Sequence, residues 1–241
     1  MNPIQPISLQ NFNIWAVIPA AGSGSRFSKT ELKQYQFIQE KTVLEHTVER
    51  LNYLPLKGYV LAIGQNDDVA ESLNLVNRDK AHFCQGGNER VNSVLNALNY
   101  LSKIASKDDW VFVHDAARPC VSYESLLNLV NTAVTQNTSA ILAIPVRDTL
   151  KKVVQDDLIE ETVDRSYLWQ AQTPQISKLS DLKQSIEKAL SDDIVITDEA
   201  SALEYSGYKV SVVQGRADNI KITYPDDLVL AQMILQYQNS K

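Results

Sequence analysis

The chain has 241 residues, 44% of them hydrophobic, which is enough for one substantial α/β domain or two small ones with a buried core. Its 23 Lys and Arg against 29 Asp and Glu give a net charge of −6, so no general basic surface serves nucleic acid or an anionic membrane, and an anionic ligand must meet a local cluster. The sequence has only two cysteines, no basic and apolar leader at the N-terminus and no apolar run of about 18 residues. Together these features favour a cytoplasmic protein.

From Ile14 to Val146, short apolar runs alternate with segments of helical periodicity. The first run, IWAVIP, predicts a buried strand, and ERVNSVLNALNYL predicts the clearest amphipathic helix. The other predicted elements of this part are the helix TVLEHTVERL, the strands GYVLAI, HFC and WVFVHD, a helix around Leu126 to Val134, and the strand AILAIPV. Because the strands are apolar throughout and separated by helices, they predict a mostly parallel sheet covered on both faces, a Rossmann-like, doubly wound α/β sandwich.

Residues 147–165, RDTLKKVVQDDLIEETVDR, break this rhythm. They have no apolar stripe and alternate like two strands around the polar turn QDD, which predicts a protruding β-hairpin arm at about residues 147–166. A polar two-stranded ribbon buries too little surface to be stable alone. We therefore expect the arm to pack against a second copy of the chain in a homodimer.

The C-terminal part resumes the alternation. TDEASALEYSG predicts a helix with Thr197 as its N-cap and Gly207 at its end. KVSVVQG and NIKIT predict strands, and PDDLVLAQMILQY predicts a closing helix with Pro225 in its first turn. No repeat, low-complexity segment or linker interrupts the chain, so we expect residues 1–241 to form a single domain that carries the arm.

The loop after the first strand, AAGSGSRF, lies where doubly wound sheets bind ligands. Gly22 and Gly24 would let backbone N–H groups approach an anion. Phe27 stands where a dinucleotide-binding loop has its third glycine, and the Gly-Lys-Ser/Thr of a P-loop is missing. Arg26 and Lys33 instead supply two cations, which is typical of a loop that grips a triphosphate. A plain tight turn with two solvated cations is the alternative.

Two further loops carry candidate site residues. In QGGNER, carbonyls at Gly86 and Gly87 could meet the edge of a base such as cytosine, although a simple turn before a helix explains the same pattern. In HDAARP, Asp115 follows a very apolar strand, where a carboxylate needs a cation. A magnesium ion carried by substrate phosphates meets that need. We interpret His114 as structural, because no nucleophile or metal trio accompanies it.

Eight motifs between about Ala16 and Asp227 occur in the order typical of one known family. They are PAAGSGSRF followed by KQY, then GGNERVNSV, VHDAARP, PVRDT, TVDR, LWQAQTPQ, TDEASALE and GRADNIKIT. Together they resemble the 2-C-methyl-D-erythritol 4-phosphate cytidylyltransferases of the non-mevalonate isoprenoid pathway. The resemblance implies a nucleotidyltransferase domain that uses CTP and magnesium, and a homodimer whose interlocking arms help to complete the sites.

The resemblance also implies a role for each matching residue. The catalytic residues would be Arg26 and Lys33, which stabilise the transition state, and Arg165 and Lys221, which position the sugar phosphate. Around that polyol phosphate would lie Arg118, Thr149, Thr173 and Thr197. The CTP pocket would consist of Ala20, Ala21, Gly22, Gly87, Asn88, Arg90 and Ser93, and Asp115 would face the metal. Asn88 stands where an Asp is expected, which makes this contact to cytidine neutral.

The implied reaction joins methylerythritol phosphate to CTP and releases pyrophosphate. A phosphate monoester is mostly dianionic at pH 7, so the substrate itself is the nucleophile and no general base is required. Three alternatives remain open at this point. The chain could act on ribitol 5-phosphate instead, it could be a non-catalytic nucleotide sensor on the same fold, or it could be a dimeric scaffold that displays the arm.

Overall fold

The computed structural model describes residues 9–22, 26–28, 31–154 and 157–240, without the side chain of Gln10. Ser23 and Gly24 of the glycine loop, and Gln155 and Asp156 of the predicted QDD turn, lie outside the described residues. Within the described ranges, no helix combines the length and apolar character needed to cross a membrane.

A seven-stranded sheet forms the centre of the molecule. In chain order the strands are β1 (Ile14–Pro19), β2 (Phe37–Ile38), β3 (Lys41–Thr42), β4 (Gly58–Ile63), β5 (Ala81–Gln85), β6 (Trp110–Val113), β7 (Ser139–Pro145), β8 (Leu150–Val153), β9 (Ile159–Val163), β10 (Trp169–Lys178) and β11 (Val210–Gln214). The central sheet has the order β11-β7-β10-β6-β1-β4-β5. Its pairs are parallel except for those of β10, which runs antiparallel to β6 and β7. The predicted mostly parallel α/β sheet is therefore confirmed.

Helices cover both faces of this sheet. They are α1 (Val43–Leu51), α2 (Asp68–Ser72), α3 (Arg90–Leu101), α4 (Tyr123–Gln136), α5 (Leu179–Ser191), α6 (Glu199–Tyr205) and α7 (Asp226–Asn239). In β1, Ile14, Ala16 and Ile18 are buried in the apolar cluster with α1 and α4. Trp15 and Val17 are buried in the opposite cluster with α3, α5 and α6. Burial on both sides explains why the strand is apolar throughout rather than alternating.

The parallel strands bring three loops to one edge. Val17 of β1 pairs with Val113 of β6, Pro19 pairs with Ala62 of β4, and β4 in turn pairs with β5. Because parallel strands end at the same side of a sheet, the loops after β1, β5 and β6 meet there. These are the loops that contain AAGSGSRF, QGGNER and HDAARP.

The predicted hairpin is present as β8 and β9. The two strands pair antiparallel, from Leu150 opposite Val163 to Val153 opposite Ile159, in a sheet of their own. Most of their side chains are exposed, and these include the apolar side chains of Val153 and Ile159. The use of this hairpin in dimerisation stays a prediction, because the structure describes a single chain.

Two local predictions are wrong. Thr197 does not cap α6: Asp198 is the N-cap, because its carboxylate accepts a hydrogen bond from the Ser201 N–H at 2.9 Å. NIKIT is not a strand, since its backbone bonds to loops instead. The Ile222 N–H donates to the Ala117 carbonyl at 2.9 Å, for example. Gly207 does end α6, in the left-handed conformation that favours glycine.

Candidate active site

A cavity of about 320 Å³ opens at the edge where β1, β5 and β6 end. The predicted site residues that line it are Ala20, Gly22, Arg26, Lys33, Gly87, Asn88, Arg90, Ser93, Asp115 and Lys221. The cavity thus brings together the glycine loop, the QGGNER loop, the carboxylate after β6 and a lysine from the segment before α7. Gln34, Glu89 and Thr223 also line it, although no sequence pattern singles them out.

The glycine loop is fastened by residues on its two sides. Phe27 is buried in an apolar cluster that includes Ile222. On the other side, the Gln34 side-chain amide donates to the Ala20 carbonyl at 2.8 Å. A phenylalanine in place of the third glycine therefore anchors the loop, and Arg26 beside it stays exposed at the cavity.

Neighbouring side chains approach the two glycines of QGGNER so closely that no side chain fits at either position. A Cβ atom at Gly86 would lie 2.3 Å from the Ala21 Cβ, and one at Gly87 would lie 2.3 Å from the Asn92 Cβ. The Gly87 N–H donates to the Ser93 hydroxyl at 3.0 Å, which fixes the turn at the start of α3. Ala21 does not line the cavity itself, but it packs the glycine loop against this second loop.

Three cations surround the carboxylate of Asp115. Its Oδ1 accepts from Arg90 Nε at 2.8 Å, and its Oδ2 lies 2.7 Å from Lys221 Nζ and 3.7 Å from Arg118 Nε. Burial alone would raise the pKa of Asp115, but the charges of Arg90, Lys221 and Arg118 outweigh burial and hold that pKa well below its usual range. Asp115 is therefore an anion at physiological pH and fixes the positions of its partners.

Lys33 lies on the other side of the cavity. Its ammonium donates to the Ile222 carbonyl at 2.8 Å. Partial burial lowers the pKa of Lys33, and the nearby charge of Lys221 lowers it further, while Asp115 acts in the opposite direction. The cavity thus concentrates positive charge from Lys33, Lys221 and Arg26, which is what a polyanionic ligand requires.

Arg118 and Thr173 lie behind Asp115 rather than at the cavity. The Asp115 N–H donates to the Thr173 hydroxyl at 3.0 Å, and Arg118 Nη1 donates to the Asn219 carbonyl at 2.7 Å. His114 Nε2 faces the Arg118 carbonyl, so Nε2 carries the proton and Nδ1 accepts from the Thr173 hydroxyl. Burial lowers the pKa of His114 to about 4, so the ring is neutral at pH 7, in agreement with a structural function.

The remaining predicted residues are not brought to the cavity of this chain. Thr149 and Arg165 are exposed at the base of the arm, where the Arg165 guanidinium donates to the Arg147 carbonyl. Thr197 is exposed just before α6. Contacts of these three side chains with a substrate stay predictions.

Glu199 is the buried acid that sequence reasoning missed. It is only 3% exposed, and its two oxygens accept from Arg90 Nη1 at 2.6 Å and Nη2 at 3.1 Å. The letters TDEAS did signal acidic residues, but acids at the start of a helix are ordinary capping residues. A partner 109 residues away in the chain cannot be read from that pattern.

A resident metal ion does not fit this arrangement. Both oxygens of Asp115 already lie within 2.8 Å of a cation. In the part of the chain that the structure describes, no group of three or more His, Cys, Asp and Glu side chains could hold a metal. Magnesium commonly needs only one or two carboxylates besides substrate phosphates. The contact of Asp115 with an ion carried by the substrate stays a prediction.

The chain is similar to known proteins over nearly its whole length. The family model described as 2-C-methyl-D-erythritol 4-phosphate cytidylyltransferase matches residues 14–237. Proteins of that name from Acinetobacter baumannii and Acinetobacter baylyi are 69% and 65% identical, over 94% and 96% of this chain and 95% and 97% of theirs. The crystal structure of the Francisella tularensis protein of that name has a TM-score of 0.80 at 39% identity, covering 92% of this chain and 99% of that one. The chain therefore belongs to the family of 2-C-methyl-D-erythritol 4-phosphate cytidylyltransferases.

Proposed function

We propose that the cavity binds CTP and 2-C-methyl-D-erythritol 4-phosphate and transfers the cytidylyl group, giving 4-diphosphocytidyl-2-C-methyl-D-erythritol and pyrophosphate. The observation that carries the proposal is the convergence of Arg26, Lys33 and Lys221 on a cavity walled by two glycine loops. A triphosphate and a sugar phosphate repel each other, and this cluster of cations offsets that repulsion. The product belongs to the synthesis of isoprenoid precursors.

In the reaction, an oxygen of the sugar phosphate attacks the α-phosphorus of CTP. The new bond joins that oxygen to phosphorus, and the bond to the bridging oxygen of the β-phosphate breaks, so the electron pair leaves with pyrophosphate. No protein nucleophile takes part. Negative charge grows around the α-phosphate, where Arg26 and Lys33 donate to its oxygens and stabilise the transition state. Lys221, anchored 2.7 Å from the Asp115 carboxylate, positions the attacking phosphate.

The QGGNER loop holds the cytidine. Gly87, which has no side chain, and the small side chain of Ser93 leave space for the base, and the amide of Asn88 supplies both a donor and an acceptor for its polar edge. We place the triphosphate over Ala20, Ala21 and Gly22, where the small side chains let it approach the backbone.

We expect that magnesium would enter bound to the substrate. Phosphate oxygens of CTP would be its main ligands, and Asp115, whose oxygens are paired with Arg90 and Lys221, would face the ion. The ion would neutralise part of the triphosphate charge.

The arm makes the enzyme a homodimer. Leu158 and Ile159 are adjacent and expose 65% and 61% of their surface in the single chain, and a second copy that covers them would bury this apolar surface. Arg165 and Thr149 at the base of the arm would then reach the partner's polyol phosphate.

The two thiols, Cys84 and Cys120, are unpaired, which fits the reducing cytoplasm as the place of the reaction.

The test is pyrophosphate release from CTP and magnesium with each of two acceptors. We expect release with 2-C-methyl-D-erythritol 4-phosphate and little with ribitol 5-phosphate. Faster release with ribitol 5-phosphate would assign the enzyme to that acceptor. Tight CTP binding without release from either acceptor would favour the sensor.

A further inference from the structure

The guanidinium of Arg90 donates hydrogen bonds to two carboxylates, those of Glu199 and Asp115. Both terminal nitrogens of Arg90 donate to the two oxygens of Glu199, at 2.6 and 3.1 Å. That leaves Nε, which donates to one oxygen of Asp115 at 2.8 Å. Glu199 is buried and begins α6, so the pair is held by the fold rather than by a mobile surface side chain.

This division leaves the second oxygen of Asp115 to Lys221. Lys221 Nζ lies 2.7 Å from Oδ2. Among the described residues, the only other cation near that oxygen is Arg118, whose Nε is 3.7 Å away. An arginine fork binds best when it engages both oxygens of one carboxylate. Without Glu199, the fork of Arg90 would turn to Asp115 and compete with Lys221 for Oδ2.

We propose that Glu199 is a positioning residue, which holds Arg90 so that one oxygen of Asp115 remains available to Lys221. The proposal rests on the proposed function of Lys221, which is to position the attacking phosphate. Glu199 itself does not line the cavity, so it acts through Arg90 and Asp115 and not on the substrate.

The test is the isosteric substitution Glu199→Gln, measured for pyrophosphate release at saturating CTP and varied 2-C-methyl-D-erythritol 4-phosphate. We expect kcat/KM for the sugar phosphate to fall about tenfold or more. Glu187→Gln, which breaks an exposed ion pair with Lys183 on α5, is the matched control and should leave both constants unchanged.

A double-mutant cycle separates positioning from a merely structural effect. If Glu199 acts through Lys221, Glu199→Gln adds little further loss in a Lys221→Met background. Arg90→Lys in the Glu199→Gln background should restore part of the activity, because a lysine has no fork to occupy both oxygens of Asp115. Full additivity of the first pair, together with no recovery in the second, would overturn the proposal.

A crystal structure of the Glu199→Gln variant gives a readout besides activity. We expect the Arg90 fork on both oxygens of Asp115 and Lys221 Nζ beyond hydrogen-bond distance from Oδ2. An unchanged Arg90 would refute the proposal even if the protein released no pyrophosphate, so its failure is distinct from that of the proposed function. If Glu199→Gln does not fold, Glu199→Asp, which is too short to engage both nitrogens, is used for the same measurements.

Discussion

At the scale of single residues, the cations of the cavity differ in how firmly they are held. Lys221 is paired with Asp115, whereas the partner of Lys33 among the described residues is a neutral carbonyl, that of Ile222. A lysine held by a carbonyl can exchange that weak partner for a phosphate oxygen when the triphosphate arrives. Lys33 is therefore the group best prepared to bind charge that develops during the reaction.

Lys33→Ala should lower kcat by roughly 10²-fold or more, the scale of losing one donor to a transition state. Arg26→Ala should have an effect of the same order. The measurement is pyrophosphate release at saturating substrates, with Lys103→Ala, an exposed lysine after α3, as the control that keeps wild-type turnover. Near-wild-type turnover of the Lys33 variant would remove this lysine from the mechanism.

Protonation of His114, next to Asp115 in the site, makes the free energy of unfolding depend on pH in the acid range. Burial lowers its pKa from 6.5 to about 4, so the unfolded chain binds more protons than the folded one between these values. The contribution of neutral His114 is therefore complete above pH 6.5 and is lost as the pH falls towards 4. The charged groups that affect it are Asp115, Arg118 and Arg90.

We expect the difference in unfolding free energy between the wild type and His114→Gln to narrow by roughly 3 kcal/mol from pH 6.5 to pH 4. Urea unfolding at several pH values measures it. Parallel pH profiles for the two proteins would mean that the pKa of His114 is the same in the folded and the unfolded chain.

The candidate site was predictable as a set of residue types, but its internal contacts were not. Gly22, Arg26, Lys33 and Asp115 follow strands in the sequence, and the family resemblance adds Lys221, which follows no strand. Which cation binds which oxygen depends on side chains far apart in the chain, such as Arg90 and Glu199, and on the helix that carries them. Thr173 illustrates the limit, because its motif is evident while its burial behind Asp115 is not.

At the scale of elements, apolar strands such as β1 and β4 were predictable because both their faces are buried. The antiparallel strand β10 and the helix α5 were not predicted. The polar residues and the proline of WQAQTPQISK obscure the pattern of a strand. In the structure Gln172 and Gln175 are nevertheless buried, because their side-chain amides form hydrogen bonds. Tertiary hydrogen bonds thus override the local pattern.

The turn before α3 gives a prediction about an element. A methyl group at Gly86 would lie 2.3 Å from the Ala21 Cβ, so the two loops must separate. Gly86→Ala should raise the KM for CTP about tenfold or more, because a displaced loop misplaces the nucleotide.

Two further variants control this experiment. Gly64→Ala should be tolerated, since the nearest atom to its new Cβ is 3.9 Å away. Ala21→Gly combined with Gly86→Ala removes the shortest contact of the new Cβ, leaving those of 3.0 Å to Ser93 Oγ and 3.2 Å to the Ile63 carbonyl, and should restore part of the affinity. If Gly86→Ala binds CTP normally, the packing of the two loops does not position the nucleotide.

At the scale of the whole molecule, the arm residues that lie away from the cavity bear on the proposed homodimer. Thr149 and Arg165 match the motifs of the family but lie away from the cavity of their own chain. A two-fold dimer exchanges equivalent elements, so each arm can complete the site of the other chain.

Mixing two inactive variants tests this exchange. In a hybrid of Lys33→Ala and Arg165→Ala chains, one site would carry both defects and the other neither, provided that Arg165 acts on the partner's substrate. Random assembly would then restore about a quarter of wild-type turnover after the two proteins are unfolded and refolded together. If Arg165 acts within its own chain, each site of a hybrid keeps one defect and no activity returns. Adding Leu158→Lys and Ile159→Lys to both chains should abolish the recovery, because charges on the exposed apolar side chains of the arm prevent hybrids from forming.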